Sequence, residues 1–381
     1  KDYLMSRELC NPALAVIRSV GGLGAEEILA EALKNPGLPC AAGVMNALAL
    51  MRSPLAVNEY IRFASDINVN TRASAFNALA QSGSPLAYPV LHDAAKDVGY
   101  RWEHTGATAS LLEYARNAGL AGDLKTMDRI CNLVMAKCND KTTIQNKSAA
   151  LKIYTGFHGT GAMKVLFKAA GHPDKTYREA AFQASLLVPG KEIINKWLDF
   201  YPKAESFARP GIIYMLGSFG DELSLPLVRQ AMNDADPEVR AAAVTAVSKI
   251  SGNKAIPDLR DFLLHHTGAG DQESVKKALM TVAGTTSIGE LRSVLGEAPD
   301  ESQKTIIELM AWNSDNGFFN DVLPFTDSDN PDVSLAAFKA LAALASSENQ
   351  LQLTDLMAET DDPDLVRELQ SALARAASMT E

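Results

Sequence analysis

The 381-residue sequence is poor in the residues that usually announce a chemistry. Only 7% of it is aromatic, and it holds four cysteines, six histidines and three tryptophans. It contains no His-Glu pair of the kind that holds iron, no HExxH spacing for zinc, no GxSxG, no phosphate loop, no GxGxxG after a strand and no CxxC. These absences leave no catalytic or metal-ligating residue to nominate, and the chain is read as a non-enzyme with no cofactor. No apolar run reaches the length of a membrane span, so no membrane insertion is expected. Positive charge is also scarce: 36 Lys and Arg face 46 Asp and Glu, for a net charge of −10. That balance speaks against the cationic groove by which a protein neutralises phosphates, so nucleic acid is not an expected partner.

What the sequence does have is repetition. In residues 234–250, DADPEVRAAAVTAVSKI, Pro237 fits the first turn of a helix, and Asp234 or Asp236 can cap the amides before it. Val239, Ala243, Val244, Val247 and Ile250 then recur at three- and four-residue steps, which gathers apolar side chains on one helical face. Taking Arg240 as anchor, equivalents stand at Ala41, Arg72, His104, Lys147, Arg178, Arg209, Lys276, Gln303, Ser334 and Arg367. Five of the steps are 31 residues, and the others are 32, 43, 36, 27 and 33. A hydrophobic residue follows most anchors by four: Met45, Phe76, Leu151, Phe182, Ile213, Val244, Met280, Ile307 and Phe338. Thr108 and Ser371 interrupt that column.

A template of Asp, five residues, then Arg opening an apolar run stands at Asp66 to Arg72, Asp234 to Arg240 and Asp361 to Arg367. With its period, it resembles the HEAT-like repeats, in particular the short variety of about thirty residues named after the phycobilisome lyases. The resemblance covers nearly the whole chain and implies an all-α, right-handed α-solenoid of about eleven to twelve helix pairs. It also implies that the template Asp and Arg form a structural ladder between neighbouring repeats. A repeat of this period predicts one elongated run over residues 1–381 in place of several globular domains. The long 43-residue step predicts an irregular insertion at about 113–146, with Asn117 to Gly122 a loop and Leu124 to Lys137 a helix. His265 to Gly270 reads as a lengthened turn and Gly284 to Pro299 as a shortened unit. A polar-backed helix at about 363–377 reads as a C-terminal cap.

The cysteines are read as buried thiols. Cys10 and Cys40 are nearly one repeat apart, and equivalent positions in neighbouring helix pairs lie at about 10 Å, beyond disulfide reach. Cys131 and Cys138 lie two turns apart on one helical face. The first residue is Lys1, which fits either a processed start or an excised piece, and the compartment is left open.

Curved stacks of helix pairs create long grooves that bind other chains. The expected function is a non-catalytic scaffold, a monomer, whose concave groove holds a protein, a peptide or a sister domain of the same polypeptide. The residue five after each anchor is rotated from the core column toward the groove, which nominates Asn77, Lys152, Gln183, Tyr214 and Thr245 for partner binding. The alternative is an accessory carbohydrate- or small-molecule-binding solenoid attached to a secreted enzyme. Its candidates are Tyr100, Arg101, Trp102, Glu103 and His104, where a planar aromatic stands beside an Arg and a Glu.

Overall fold

The structure, a computed structural model, describes residues 2–21, 23–282 and 288–378. Among the described residues there are helices and no strands. The fold is an α-solenoid: short helices alternate in pairs, and within each of two compact units the second helix of a pair stacks on the second helix of the next. The chain divides into two compact units, 1–193 and 194–381, with the division falling inside one helix.

In the first unit, α1 (Cys10–Val20) precedes five pairs: α2 (Leu23–Leu33) with α3 (Ala41–Leu50), α4 (Val57–Phe63) with α5 (Val69–Gln81), α6 (Ala87–Asp97) with α7 (Ala107–Leu120), α8 (Leu124–Lys137) with α9 (Ile144–His158), and α10 (Met163–Ala170) with α11 (Lys175–Leu186). The second unit takes in most of α12 (Lys191–Phe200) and its partner α13 (Arg209–Phe219). It continues with α14 (Leu225–Ala231) and α15 (Pro237–Ser251), then α16 (Ile256–His265) and α17 (Ala269–Val282). A 3-10 segment, Glu290–Glu297, precedes α18 (Asp300–Asn313). Two further pairs follow: α19 (Phe319–Val322) with α20 (Pro331–Leu344), and α21 (Gln350–Glu359) with α22 (Pro363–Ser378).

Local chemistry explains why the second helices start where they do. Asn68, Asp174, Asp236 and Asn330 are N-caps whose side chains accept from the first free amides, and Pro237 and Pro331 sit in the first turn. Val239, Ala243, Val244 and Val247 are buried in α15, and the column four after each anchor is buried from Met45 through Ile213 to Phe338. Met280 is the exception, being half-buried, whereas Leu279 beside it is core.

That exception exposes a misplaced anchor. Helix α17 opens at Ala269, so its fourth residue is Gln272, the position that Arg240 holds in α15. The Gln272 amide donates to Leu263 O and His266 O, at 2.8 and 2.9 Å, closing the turn before its helix. Arg240 closes its own turn in the same way, through Asp234 O and Ala235 O. With Gln272 in place of Lys276 the steps become 32 and 31, and neither a lengthened nor a shortened unit is needed there. Gly284, expected to open the shortened unit, lies outside the described residues, as does Gly22 at the end of the first unit's opening helix.

The role of the template charges also differs from the ladder that the resemblance implies. Arg72, Arg178 and Arg240 each aim one guanidinium nitrogen at two carbonyls of the preceding turn. Asp66 and Asp234 accept from amides of their own turns, Asn68 N and Asp236 N. One contact that crosses to the next repeat is Arg240 to Asp271, a two-pronged pair at 3.0 and 2.7 Å, and Asp271 is not a template residue. Arg367 pairs with Asp364 one turn away on the surface of its own helix.

The long step is taken up by helix rather than loop. Gln81 Nε2 donates to Glu113 32 residues on, so α7 keeps register with α5 there, and α7 then runs on to Leu120. Asn117 to Leu120, expected as loop, is helical because Gly119 leaves room for the Phe157 ring, which a Cβ would meet at 2.7 Å. Helix α8 follows over Leu124–Lys137 as expected.

The reading of the first two cysteines is overturned. Cys10 and Cys40 form a disulfide, with their Cα atoms 5.9 Å apart. The estimate of about 10 Å assumed ordinary helix spacing; here Gly43 on α3 lets Leu14 of α1 come close, since a Cβ would stand 2.9 Å from Leu14 Cδ2. Cys131 and Cys138 are buried free thiols, and burial pushes them up to about 12 and about 11.

Candidate functional site

The residues nominated for partner binding lie on second helices. Asn77 on α5, Lys152 on α9 and Gln183 on α11 are exposed in the first unit. In the second unit, Tyr214 on α13 is 48% exposed, and the Lys249 ammonium of α15 sits 3.9 Å from its ring centroid while donating to Ser218 Oγ at 3.2 Å. Thr245, on the same face of α15, is half-buried, and its hydroxyl donates to Ala241 O within its own helix.

The Tyr100 to His104 segment separates into two parts. Tyr100 is core, held at a positive φ of 57°, and its carbonyl accepts from Asn146 Nδ2 at 2.8 Å. The Glu103 carboxylate caps α7, accepting from Thr105 N, Thr105 Oγ1 and Ala107 N. Those bonds hold it below the usual carboxylate range against the opposing effect of burial. Arg101, Trp102 and His104 are left on the surface, Trp102 at 75% exposure with the His104 ring edge-on at 5.1 Å.

The most developed site is one that sequence reasoning missed. Residues 124–178 carry ten Lys or Arg against three Asp, a basic stretch that the overall charge of −10 conceals. It folds as α8 to the start of α11, and between α8 and α10 it leaves a cleft of about 770 Å³. Met135, Val165, Pro173 and Tyr177 give the cleft apolar surface; Asn132, Asn139, Lys147, Lys164, Lys168 and His172 give it donors.

Lys147 organises the floor. Entering from the first turn of α9, it is 7% exposed, yet among the described residues it forms no ion pair. Its ammonium donates to Asn139 Oδ1 at 2.7 Å and lies 4.8 Å from the Tyr177 ring centroid. Burial lowers its pKa, and the nearby charge of Lys168 lowers it further. His172 Nε2 is 3.4 Å away. Asp174 N donates to His172 Nδ1 at 3.1 Å, so the proton of the neutral ring belongs on Nε2, facing the ammonium. Two donors therefore face each other with no acceptor between them. Burial and the Lys147 charge hold His172 below the ordinary histidine range. The adjacent carboxylates are already engaged: Asp174 accepts from Tyr177 N, and Asp140 from Thr142 N and Thr143 N. Lys164 and Lys168, one turn apart on α10, are exposed and have no ion pair among the described residues.

Other titratable pairs have structural explanations. His158 and Asp128 bond at 2.6 Å and join α9 to α8, with Tyr154 packed on the imidazole at 4.3 Å. Among the described residues, no group of three His, Cys, Asp or Glu is placed to hold a metal ion.

A family model described as HEAT repeats matches residues 203–280, within the second unit. That segment of the second unit is similar to HEAT repeats. Solved structures with the same fold include the karyopherin Kap121p bound to the SUMO protease Ulp1p, at 14% identity and a TM-score of 0.54. They also include Kap121p bound to the extreme C-terminus of the protein phosphatase Cdc14p, at 14% identity and a TM-score of 0.51. Each match covers 94% of this chain and 46% of the karyopherin, so this chain spans about half the length of the structures it resembles. At such identity the likeness establishes the fold alone. No curated protein sequence matches the chain.

Proposed function

We propose that the chain is a non-catalytic scaffold that binds a protein or peptide partner, either a separate molecule or a sister domain of the same polypeptide, and that it does so as a monomer. The observation that carries this reading is the exposed, polar face of the stacked second helices, with Asn77, Lys152 and Gln183 in the first unit and the Tyr214, Ser218 and Lys249 cluster in the second. Amide and ammonium groups on successive exposed second-helix faces suit hydrogen bonding to an extended chain, and a half-exposed tyrosine under a lysine is a rigid anchor of the kind interfaces favour. The fold supports it too, since the Kap121p structures are bound to the SUMO protease Ulp1p and to the extreme C-terminus of the protein phosphatase Cdc14p.

The test is capture of a partner identified by crosslinking in the native source, measured against Lys152→Glu combined with Tyr214→Ala. Both side chains are exposed, so the melting temperature should hold while affinity falls at least tenfold. Wild-type affinity in the double variant would remove the second-helix face as the binding surface.

The alternative, an accessory carbohydrate-binding solenoid, is favoured by one observation: Trp102 is a surface residue next to Arg101 and His104 and takes no part in the core. Glycan binding lost in Trp102→Ala, at unchanged melting, would support this reading over the first.

A further inference from the structure

We propose that the basic cleft between α8 and α10 seats an acidic segment of a protein partner, with its carboxylates on Lys147, Lys164 and Lys168 and an apolar side chain against Met135, Val165 and Tyr177. The proposal rests on the scaffold reading and gives the partner a chemistry and a second point of contact. Three features lead to it. First, a lysine that is nine-tenths buried with no carboxylate bonded to it among the described residues is costly, because desolvation of the ammonium is offset by Asn139 and the Tyr177 ring and not by a countercharge in contact. An incoming carboxylate would supply the missing countercharge. Second, the Nε2–H of His172 and the ammonium of Lys147 converge at 3.4 Å, so one oxygen accepting from both would relieve a donor-against-donor contact that the folded chain leaves in place. Third, the surrounding carboxylates are engaged by backbone amides, Asp174 at the cap of α11 and Asp140 in the turn before α9, which leaves Lys164 and Lys168 at the rim to attract negative charge from outside.

The apolar wall decides between an ion and a peptide. A small inorganic anion would be satisfied by the lysines and would leave Met135, Val165, Pro173 and Tyr177 uncovered. A peptide with an apolar residue among glutamates or aspartates would cover both kinds of surface, and a cleft of about 770 Å³ is in the range that encloses a ligand of several residues.

The test uses the full chain and a fluorescein-labelled peptide of four glutamates around one phenylalanine, read by fluorescence anisotropy at low salt. The glutamate peptide should bind, its glutamine analogue should not, and added salt should weaken the complex. Lys164→Glu with Lys168→Glu, both on exposed side chains, should weaken binding at least tenfold, whereas Lys254→Glu in the second unit should change it less than twofold. Lys147 is too buried for a safe substitution, so its reductively methylated ammonium is followed by carbon-13 NMR and should shift on adding the peptide. Absence of binding at millimolar peptide overturns the proposal, as does binding that survives the charge reversal. Displacement by equimolar inorganic phosphate overturns it in favour of a phosphate site. Should the peptide fail while Lys152→Glu with Tyr214→Ala still abolishes partner capture, the scaffold reading stands and the acidic segment falls.

Discussion

Arg240 joins two repeats and closes a turn with a single guanidinium. It holds both oxygens of Asp271 and two carbonyls of its own turn, with side-chain exposures of 15% for Arg240 and 7% for Asp271. Its pKa is raised chiefly by the hydrogen bonds to Asp271, so it stays charged throughout the working range. Truncating one partner of a buried pair leaves the other unsatisfied, and Arg240→Ala should cost about 1–3 kcal/mol in urea titration. Asp271→Asn in the Arg240→Ala background should cost much less than in the wild type, because the charge it removes is already unpaired. His172 gives a prediction with a defined sign. Its folded pKa lies below the ordinary value of 6.5, so between the two values the unfolded chain binds more protons. Its contribution is complete above about pH 6.5 and is lost as pH falls through the folded value. His266 is shifted in the same direction by burial and adds to the effect. His172→Gln should therefore flatten the acid side of the stability profile, measured by urea titration at pH 4.5 to 7.5, without removing all of its slope.

Elements in this fold are positioned by how closely their backbones can approach. Gly217 on α13 faces Ala246 on α15 so tightly that an added Cβ would lie 2.5 Å from both Ala246 Cα and Cβ. No flexible side chain stands there to yield, so Gly217→Ala must push the two helices apart or bend one of them. Overpacking of this kind costs about 1–3 kcal/mol. The same substitution at Gly270, where a Cβ meets nothing within 4 Å and the residue is in the first turn of α17, should be neutral or slightly stabilising. Thermal melts of the two variants make the comparison, and equal effects would refute the close-packing account. This contact also bears on what the sequence discloses: the 31-residue period and the buried column at Val244 are plain in it, because helical spacing is local. The approach of Gly217 to Ala246 is not, because nothing in either segment says how near the other will come. Gln272 escaped notice for a related reason. It performs the turn-closing role of Arg240 with a different functional group, and nothing local distinguishes it from Lys276, one helical turn later, as the anchor.

The properties that belong to the whole molecule were the least legible. Net charge is a sum, and at −10 it hid the ten cations of residues 124–178, of which Lys147, Lys164 and Lys168 meet at one cleft through the packing of α8, α9 and α10. The Cys10 and Cys40 pair was misjudged because spacing along the chain was converted to distance with an average helix separation, whereas Gly43 makes this separation smaller. Its consequence tests the solenoid character of the first unit. Closing a loop of about 30 residues restricts the unfolded chain, which by the chain-entropy account is worth about 3–4 kcal/mol. In a stack of repeats each pair contacts only its neighbours, so a loss at one end should stay there. Reduction, or Cys10→Ser with Cys40→Ser, should speed amide exchange in α1, α2 and α3, where the bridge joins the start of α1 to the cap of α3. Protection in α9 and α11, which stack on each other farther along the same unit, should be unchanged. Hydrogen exchange followed by mass spectrometry separates the two outcomes. Faster exchange throughout residues 1–193 would mean that the unit opens as one cooperative body, and the nearest-neighbour description would have to be abandoned for it.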